Sequence, residues 1–209
     1  MSVLSRLACA LGRRDEVPNR ELARALVDAQ DTDNIQEIAT NLWNKDVHIQ
    51  SDCVKVLYEI GYLQPRLITA YAEDFVKLLK NRNNRLVWGG MLAISTIGVL
   101  AADELFPHIR EIEKAMINGS VITRDAGVLA LAGIASTSDE RRQAILPTLL
   151  DHLRSCRPKD VPQHCEKILL AVNASYKTEF ISLLEKRMED LQGMQLRRVR
   201  KVIHQAGNI

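Results

Sequence analysis

LVWGGMLAISTIG, residues 86–98, closes an apolar run on Thr96-Ile97-Gly98, and strings of the same kind recur along the chain. They are Glu59-Ile60-Gly61, Gly133-Ile134-Ala135, Ala171-Val172-Asn173 and Gln205-Ala206-Gly207, whose last positions step by 37, 37, 38 and 34 residues. One residue back from each end stand Ile60, Ile97, Ile134, Val172 and Ala206. Four back stand Leu57, Ile94, Leu131, Leu169 and Ile203, and eight back stand Cys53, Gly90, Gly127, Cys165 and Val199. Offsets of one, four and eight share one face of an α-helix, so five helices present a similar stripe inward. The mostly small residue eight back would let a neighbouring helix come close.

A second register precedes the first in each period. Ile38, Phe75, Ile112 and Leu149 stand 37 apart, as do Leu42, Leu79, Met116 and Leu153. Turn signals fall between the two registers at Lys45-Asp46, Asn81 to Asn84, Asn118-Gly119-Ser120 and Arg157-Pro158, with Gly193 in the last unit. Two helices therefore repeat together, about five times. Such units cannot bury their apolar faces alone and must stack, so the predicted fold is all-α: a right-handed α-α superhelix, or α-solenoid.

At this point the chain resembles the HEAT-repeat family, whose first helix often carries a Leu-Pro step and whose second often opens on Val-Arg-x-x-Ala. Ile145-Leu146-Pro147-Thr148 looks like the former and Ile122-Thr123-Arg124-Asp125-Ala126 like the latter. The resemblance spans residues 33 to 207. In the other repeats Gln50, Val87, Pro162 and Leu196 replace the family's Arg. The expected organisation is a capping segment at 1–32, with the stripe Leu22, Ala25, Leu26 and Ala29, and one repeat domain at 33–209. A swap of the first helix into a partner chain is the alternative. Leu4, Leu7, Ala8 and Leu11 also fit a helical stripe, and the arginines around them argue against a secretory signal.

Composition narrows the function classes. Lys and Arg number 28 against 26 Asp and Glu, a formal +2, too even to imply a polyanion partner over the whole surface. Cys9, Cys53, Cys156 and Cys165 form no Cys-x-x-Cys pair and read as reduced thiols in a cytoplasmic protein. The longest uncharged run, Leu86 to Ala102, is shorter than the roughly 20 residues of a membrane helix and holds three glycines, so no membrane span is predicted. There is no glycine-rich phosphate loop after a strand and no Gly-x-Ser-x-Gly elbow, so no catalytic residue or cofactor is predicted.

Candidate contacts follow from the repeat. The resemblance implies that second helices line the concave side. Ten residues back from each helix end stand Ser51, Trp88, Asp125, Gln163 and Arg197, and six back stand Lys55, Leu92, Leu129, Lys167 and Lys201. Three back come Tyr58, Ser95, Ala132, Leu170 and His204, so the central second helices are apolar all round and the terminal ones polar outside. Two readings stand: the neighbours seal the central helices, or a groove receives a protein or peptide on Trp88, Leu92, Asp125 and Leu129. The last helix carries Arg197, Arg198 and Lys201, which would either bind phosphates of a nucleic acid or solvate a terminal cap. The Trp88 and Asp125 column invites comparison with HEAT-like alkylpurine DNA glycosylases, in which the resemblance would imply aromatic and Asp side chains around a damaged nucleotide. The match is positional only, and Asp125 is read first as a local cap or partner of Arg124 or Arg85. Self-association into a homodimer is a third reading. His152, Cys156, His164 and Cys165 are metal-ligand types within a short span. Because Cys165 fills the small inward position and His164 points elsewhere, no metal site is predicted from them.

Overall fold

The computed structural model describes residues 2–209, and every regular element among them is helical. The chain divides into two compact units, the first ending at Gly127 and the second running from Val128 to Ile209. The first holds α1 (Val17–Asp28), α2 (Thr32–Thr40), α3 (Val47–Leu63), α4 (Ala72–Leu78), α5 (Asn84–Ile97), α6 (Ala102–Leu105) and α7 (Ile109–Asn118). The division falls within α8 (Val121–Ala135). The second unit continues through α9 (Asp139–Ser155), α10 (Val161–Ile168), α11 (Ala174–Arg187) and α12 (Gly193–Gly207). Helices α3, α5, α8, α10 and α12 are the five second helices of the period.

The first three second helices each begin where a short polar side chain takes up a free backbone N–H group. Asp46 accepts from His48 N at 2.8 Å, Asn83 from Arg85 N at 3.0 Å and Ser120 from Thr123 N at 3.2 Å. These three caps stand 37 residues apart, so the helix starts repeat with the same period as the helix ends. The fourth second helix has no such cap: a 3-10 turn, Pro158–Asp160, leads into α10, and Pro162 occupies its first turn, where a missing N–H costs nothing.

Both registers are buried. Ile38, Phe75, Ile112 and Leu149 are fully enclosed, as are Leu42, Met116 and Leu153, and full burial of each such side chain contributes roughly 1.5–3 kcal/mol. On the second helices, Leu57, Ile94 and Leu131 are fully enclosed, but Leu169 and Ile203 are only half-buried. There the buried positions are Ile168 and Val202, one residue earlier. In the fourth repeat α10 tightens into a 3-10 turn at Leu169–Ala171, which turns the stripe back.

The N-terminal segment also departs from the simple stripe. Val3–Arg6 is a 3-10 turn, Leu7 and Ala8 are buried, and Leu11 is exposed. Buried Asn19 accepts from Ala8 N at 2.9 Å, and Asp52 on α3 accepts from Cys9 N at 2.8 Å, so backbone polar groups and not a continuous helix hold this stretch. In α1, Leu22 and Leu26 are buried with Ala23, while Ala29 lies outside the helix and is exposed.

Arginines bind the second unit at its helix ends. Arg142 Nε donates to the Ala171 carbonyl at 2.8 Å. Arg187 donates to the carbonyls of Leu153 at 2.6 Å, Arg154 at 2.8 Å and Cys156 at 2.9 Å. A guanidinium at a helix C-terminus satisfies orphan carbonyls and matches the negative end of the helix dipole.

Within a repeat the two helices meet at the small position. A Cβ on Gly90 would stand 2.9 Å from Leu78 Cβ and 3.0 Å from the Phe75 carbonyl oxygen, and one on Gly127 would stand 2.7 Å from Met116 Cβ. Gly90→Ala is therefore expected to lower unfolding stability by about 1 kcal/mol or more, overcoming the roughly 1 kcal/mol that alanine gains over glycine in a helix. Urea denaturation measures it, and a more stable variant would show that the helices do not meet there.

Candidate functional site

The second helices of the first unit place an aromatic and ionic cluster on neighbouring turns. Tyr58 lies on α3 with its ring centroid 6.0 Å from those of Tyr62 on the same helix and of Trp88 on α5. Tyr58 is buried, Trp88 half-buried and Tyr62 more than half exposed, so the cluster runs from core to surface. Leu92, one turn after Trp88, is half-buried, and Asp125 on α8 is half-buried as well.

A buried lysine organises the cluster. Lys55 Nζ sits 2.6 Å from Glu59, 2.9 Å from Glu16 and 4.7 Å from the Tyr58 ring centroid. Glu16 also pairs with Arg85 at 3.2 Å, and the Arg85 guanidinium lies 6.0 Å from the Trp88 ring. Burial opposes the Lys55 charge, but hydrogen bonds with Glu59, Tyr58 and Glu16 override it and hold its pKa above the ordinary lysine value. The tyrosines respond in the same direction: burial raises Tyr58 and Tyr62. The sequence reading placed Lys55 and Tyr58 on the outer column of a polar helix, and the structure encloses both. The cause is Glu16, at the start of α1, which brings a counter-charge that makes burial of the ammonium tolerable.

The other expected contacts are dispersed. Leu129 is half-buried in the second unit. Arg85 is engaged with Glu16, and Arg124 reaches the Ile117 carbonyl at 3.4 Å. On α12, Arg198 is clamped by Glu166 through bonds of 2.8 and 2.6 Å, which hold the Glu166 carboxyl below its usual pKa. Arg197, Arg200 and Lys201 are exposed. A further hollow of about 770 Å³, absent from the sequence reading, opens among α4, α5 and α7, with Lys80, Arg110 and Lys114 at its wall and Glu111 3.5 Å from Lys80. Apart from Leu79 and Lys80 its wall is built from α5 and α7 positions off the buried stripe, such as Val87, Arg110 and Lys114, and from the turn after α7, which an inward apolar period does not record.

The cysteines are free thiols. Burial, with Asp52 beside it, pushes Cys9 up to about 11, and burial pushes Cys165 up to about 12 and raises Cys53 and Cys156. Thiols held in the neutral form at physiological pH are poor nucleophiles. Among the described residues no helix is long and apolar enough to cross a membrane.

Replacing Lys55 with Met removes the cation between Glu16 and Glu59, leaving Glu16 only Arg85. Lys55→Met is expected to cost about 1–3 kcal/mol of stability at neutral pH. Because the folded-state pKa is raised, the Lys55 contribution is fully present below the unfolded lysine value, roughly 10.4, and is lost only as pH climbs through the higher folded value. Denaturation of wild type and variant from pH 6 to 9 should therefore give a constant difference; a gap that closes in this range would contradict the assignment.

No family model matches the sequence, and no curated protein sequence matches it. Solved structures do. A designed armadillo repeat protein, YIII(Dq)4CqI, superposes with a TM-score of 0.70 at 15% identity, covering 97% of each chain. A second designed armadillo protein, in complex with the peptide (KR)4, gives a TM-score of 0.70 at 18% identity, over 90% of this chain and 85% of that one. Kap121p bound to Pho4p gives 0.65 at 14% identity, over 98% of this chain and 22% of that one. With an all-helical backbone and two helices in each period, the chain is a helical-repeat protein with the armadillo and HEAT-type α-solenoid fold.

Proposed function

We propose that the chain is a non-enzymatic interaction module that binds a protein or peptide segment on the second-helix face of its first unit, with Trp88, Leu92 and Asp125 as contacts. The observation that carries this reading is the Tyr58–Trp88–Tyr62 cluster, which presents partly exposed aromatic area held by ion pairs beneath it. Rigid aromatic side chains lose little entropy on binding and dominate the energetics of interfaces. The fold is consistent with such use, since a designed armadillo protein of like structure holds a (KR)4 peptide. In this reading residues 1–32 cap the first repeat and supply Glu16, which fixes Lys55 and so steadies the cluster.

A displayed library of random peptides tests the proposal. Peptides selected on the wild-type chain should lose at least about 30-fold in affinity on Trp88→Ala, the effect of a hot-spot residue, while the variant keeps a cooperative thermal transition. Selection of no peptide, or equal binding by the variant, would remove the reading. Duplex DNA at low salt should not bind. Salt-sensitive binding abolished by Arg197→Glu with Lys201→Glu would put a nucleic-acid partner in its place.

A further inference from the structure

We infer that His152, Cys156 and His164 form a binding site for one zinc ion in the second unit, independent of the peptide-binding reading. His152 and Cys156 are four residues apart at the end of α9, and His164 lies on α10. The helices bring the imidazoles together nitrogen to nitrogen: His152 Nε2 is 3.0 Å from His164 Nδ1, with ring centroids 4.9 Å apart and the planes tilted by 46°. A ligand atom from each of the three side chains lies within 4.8 Å of the others.

The donor set and its setting select the ion. Two imidazole nitrogens and one sulfur, with no carboxylate among them, are the ligands of zinc and not of calcium or magnesium. Zinc bonds of about 2.0–2.1 Å to nitrogen and about 2.3 Å to sulfur imply tetrahedral edges of roughly 3.4 Å between nitrogens and roughly 3.6 Å from nitrogen to sulfur. The imidazoles need to part by only a few tenths of an ångström, and the Cys156 sulfur to close by about one, within the reach of a side-chain rotation. His164 is fully buried while His152 and Cys156 are half-buried, so the triad has a floor inside the unit and an opening through which an ion can enter. That opening leaves the fourth position to water.

The surroundings hold the ligands in place. Arg187 donates to the carbonyls of Leu153, Arg154 and Cys156, pinning the turn that carries the sulfur and placing a positive charge near it. Burial raises the Cys156 thiol and Arg187 opposes that rise. On binding, the thiol proton passes to solvent and the sulfur lone pair forms the bond to zinc. Cys165 stays out of the set: it is fully buried in the small inward position, with its thiol 3.2 Å from the Pro162 carbonyl. The side chain of His164 takes another direction from that of Cys165, as expected from the sequence, and that direction leads to His152.

The test uses the full chain, reduced and stripped of metal, titrated with cobalt(II) and then zinc. One equivalent of cobalt should produce a thiolate-to-metal charge-transfer band and the intense d–d bands of four-coordination, and one equivalent of zinc should bleach both. Cys156→Ser should abolish the charge-transfer band, and Cys165→Ala should keep it. His152→Gln should weaken zinc by at least about tenfold in competition with a chromophoric chelator, since even outer-shell changes at zinc sites cost 10–100-fold. Far-ultraviolet circular dichroism of each variant reports whether it is folded, and His152, half-buried where His164 is fully enclosed, provides the replacement that disturbs the core less. Absence of stoichiometric binding, a charge-transfer band that survives in folded Cys156→Ser, or binding of copper(I) but not zinc would overturn the assignment.

Discussion

The close approach of the two helices within a repeat is the constraint on which the first unit depends. At Gly90 the opposing atoms are the Phe75 carbonyl and Leu78 Cβ, and at Gly127 they are the first carbons of Met116. Contacts this near the backbone leave the helix axes little freedom, and they bring Phe75 and Met116, the residues of the first-helix register, fully into the core. Interiors packed at crystal-like density tolerate no spare methylene at such a point, which explains why the position is glycine or cysteine in four of the five repeats. The same enclosure raises the pKa values of Cys53 and Cys165, so the chemistry of these thiols follows from packing.

A second dependence runs through Glu16. An ammonium enclosed as Lys55 is would be costly without counter-charges, and the sequence supplies one on its own helix, Glu59, and one from the start of α1. Glu16 also takes Arg85 of the next repeat. One carboxylate thus ties together the N-terminal segment, α3 and α5, and its partners Lys55 and Arg85 are the cations that lie against Tyr58 and Trp88. The partly exposed aromatics are held by charges beneath them, so a candidate binding surface and a structural ion-pair network share the same residues.

Much of the fold was legible in the sequence because a period is a global signal that survives local error. The first-helix register is buried at Ile38, Phe75, Ile112 and Leu149, and the helix ends fall within two residues of those expected once the 3-10 turn that closes α10 is included. The caps Asp46, Asn83 and Ser120 are equally legible: they stand at the turn signals and 37 residues apart. The site was far less legible. Trp88 and Leu92 could be placed on a column, but Lys55 and Tyr58 were assigned to an exposed face because Glu16 lies 39 residues before Lys55 and outside the repeat register. A pattern within one helix records which face is apolar, and it cannot record an ion pair delivered by another segment.

Where the period slips, the constraint on side-chain type relaxes. The first three repeats open their second helices with Asp46, Asn83 and Ser120, but the next step is 38 residues, the cap is replaced by the Pro158–Asp160 turn, and α10 closes in a 3-10 turn that moves the buried stripe to Ile168. This is also where His152, Cys156 and His164 converge. An ideal repeat would fill those positions from its apolar register and its capping set; an irregular one must satisfy buried polar groups by other means, here imidazole against imidazole and Arg187 on three carbonyls. Departures from local consistency tend to be retained where they serve a ligand or a strain. In this chain the missing cap, the 3-10 closure of α10 and the His152, Cys156 and His164 group all fall in one repeat, so the irregularity is better explained by the groups it brings together than by drift in a solvated loop.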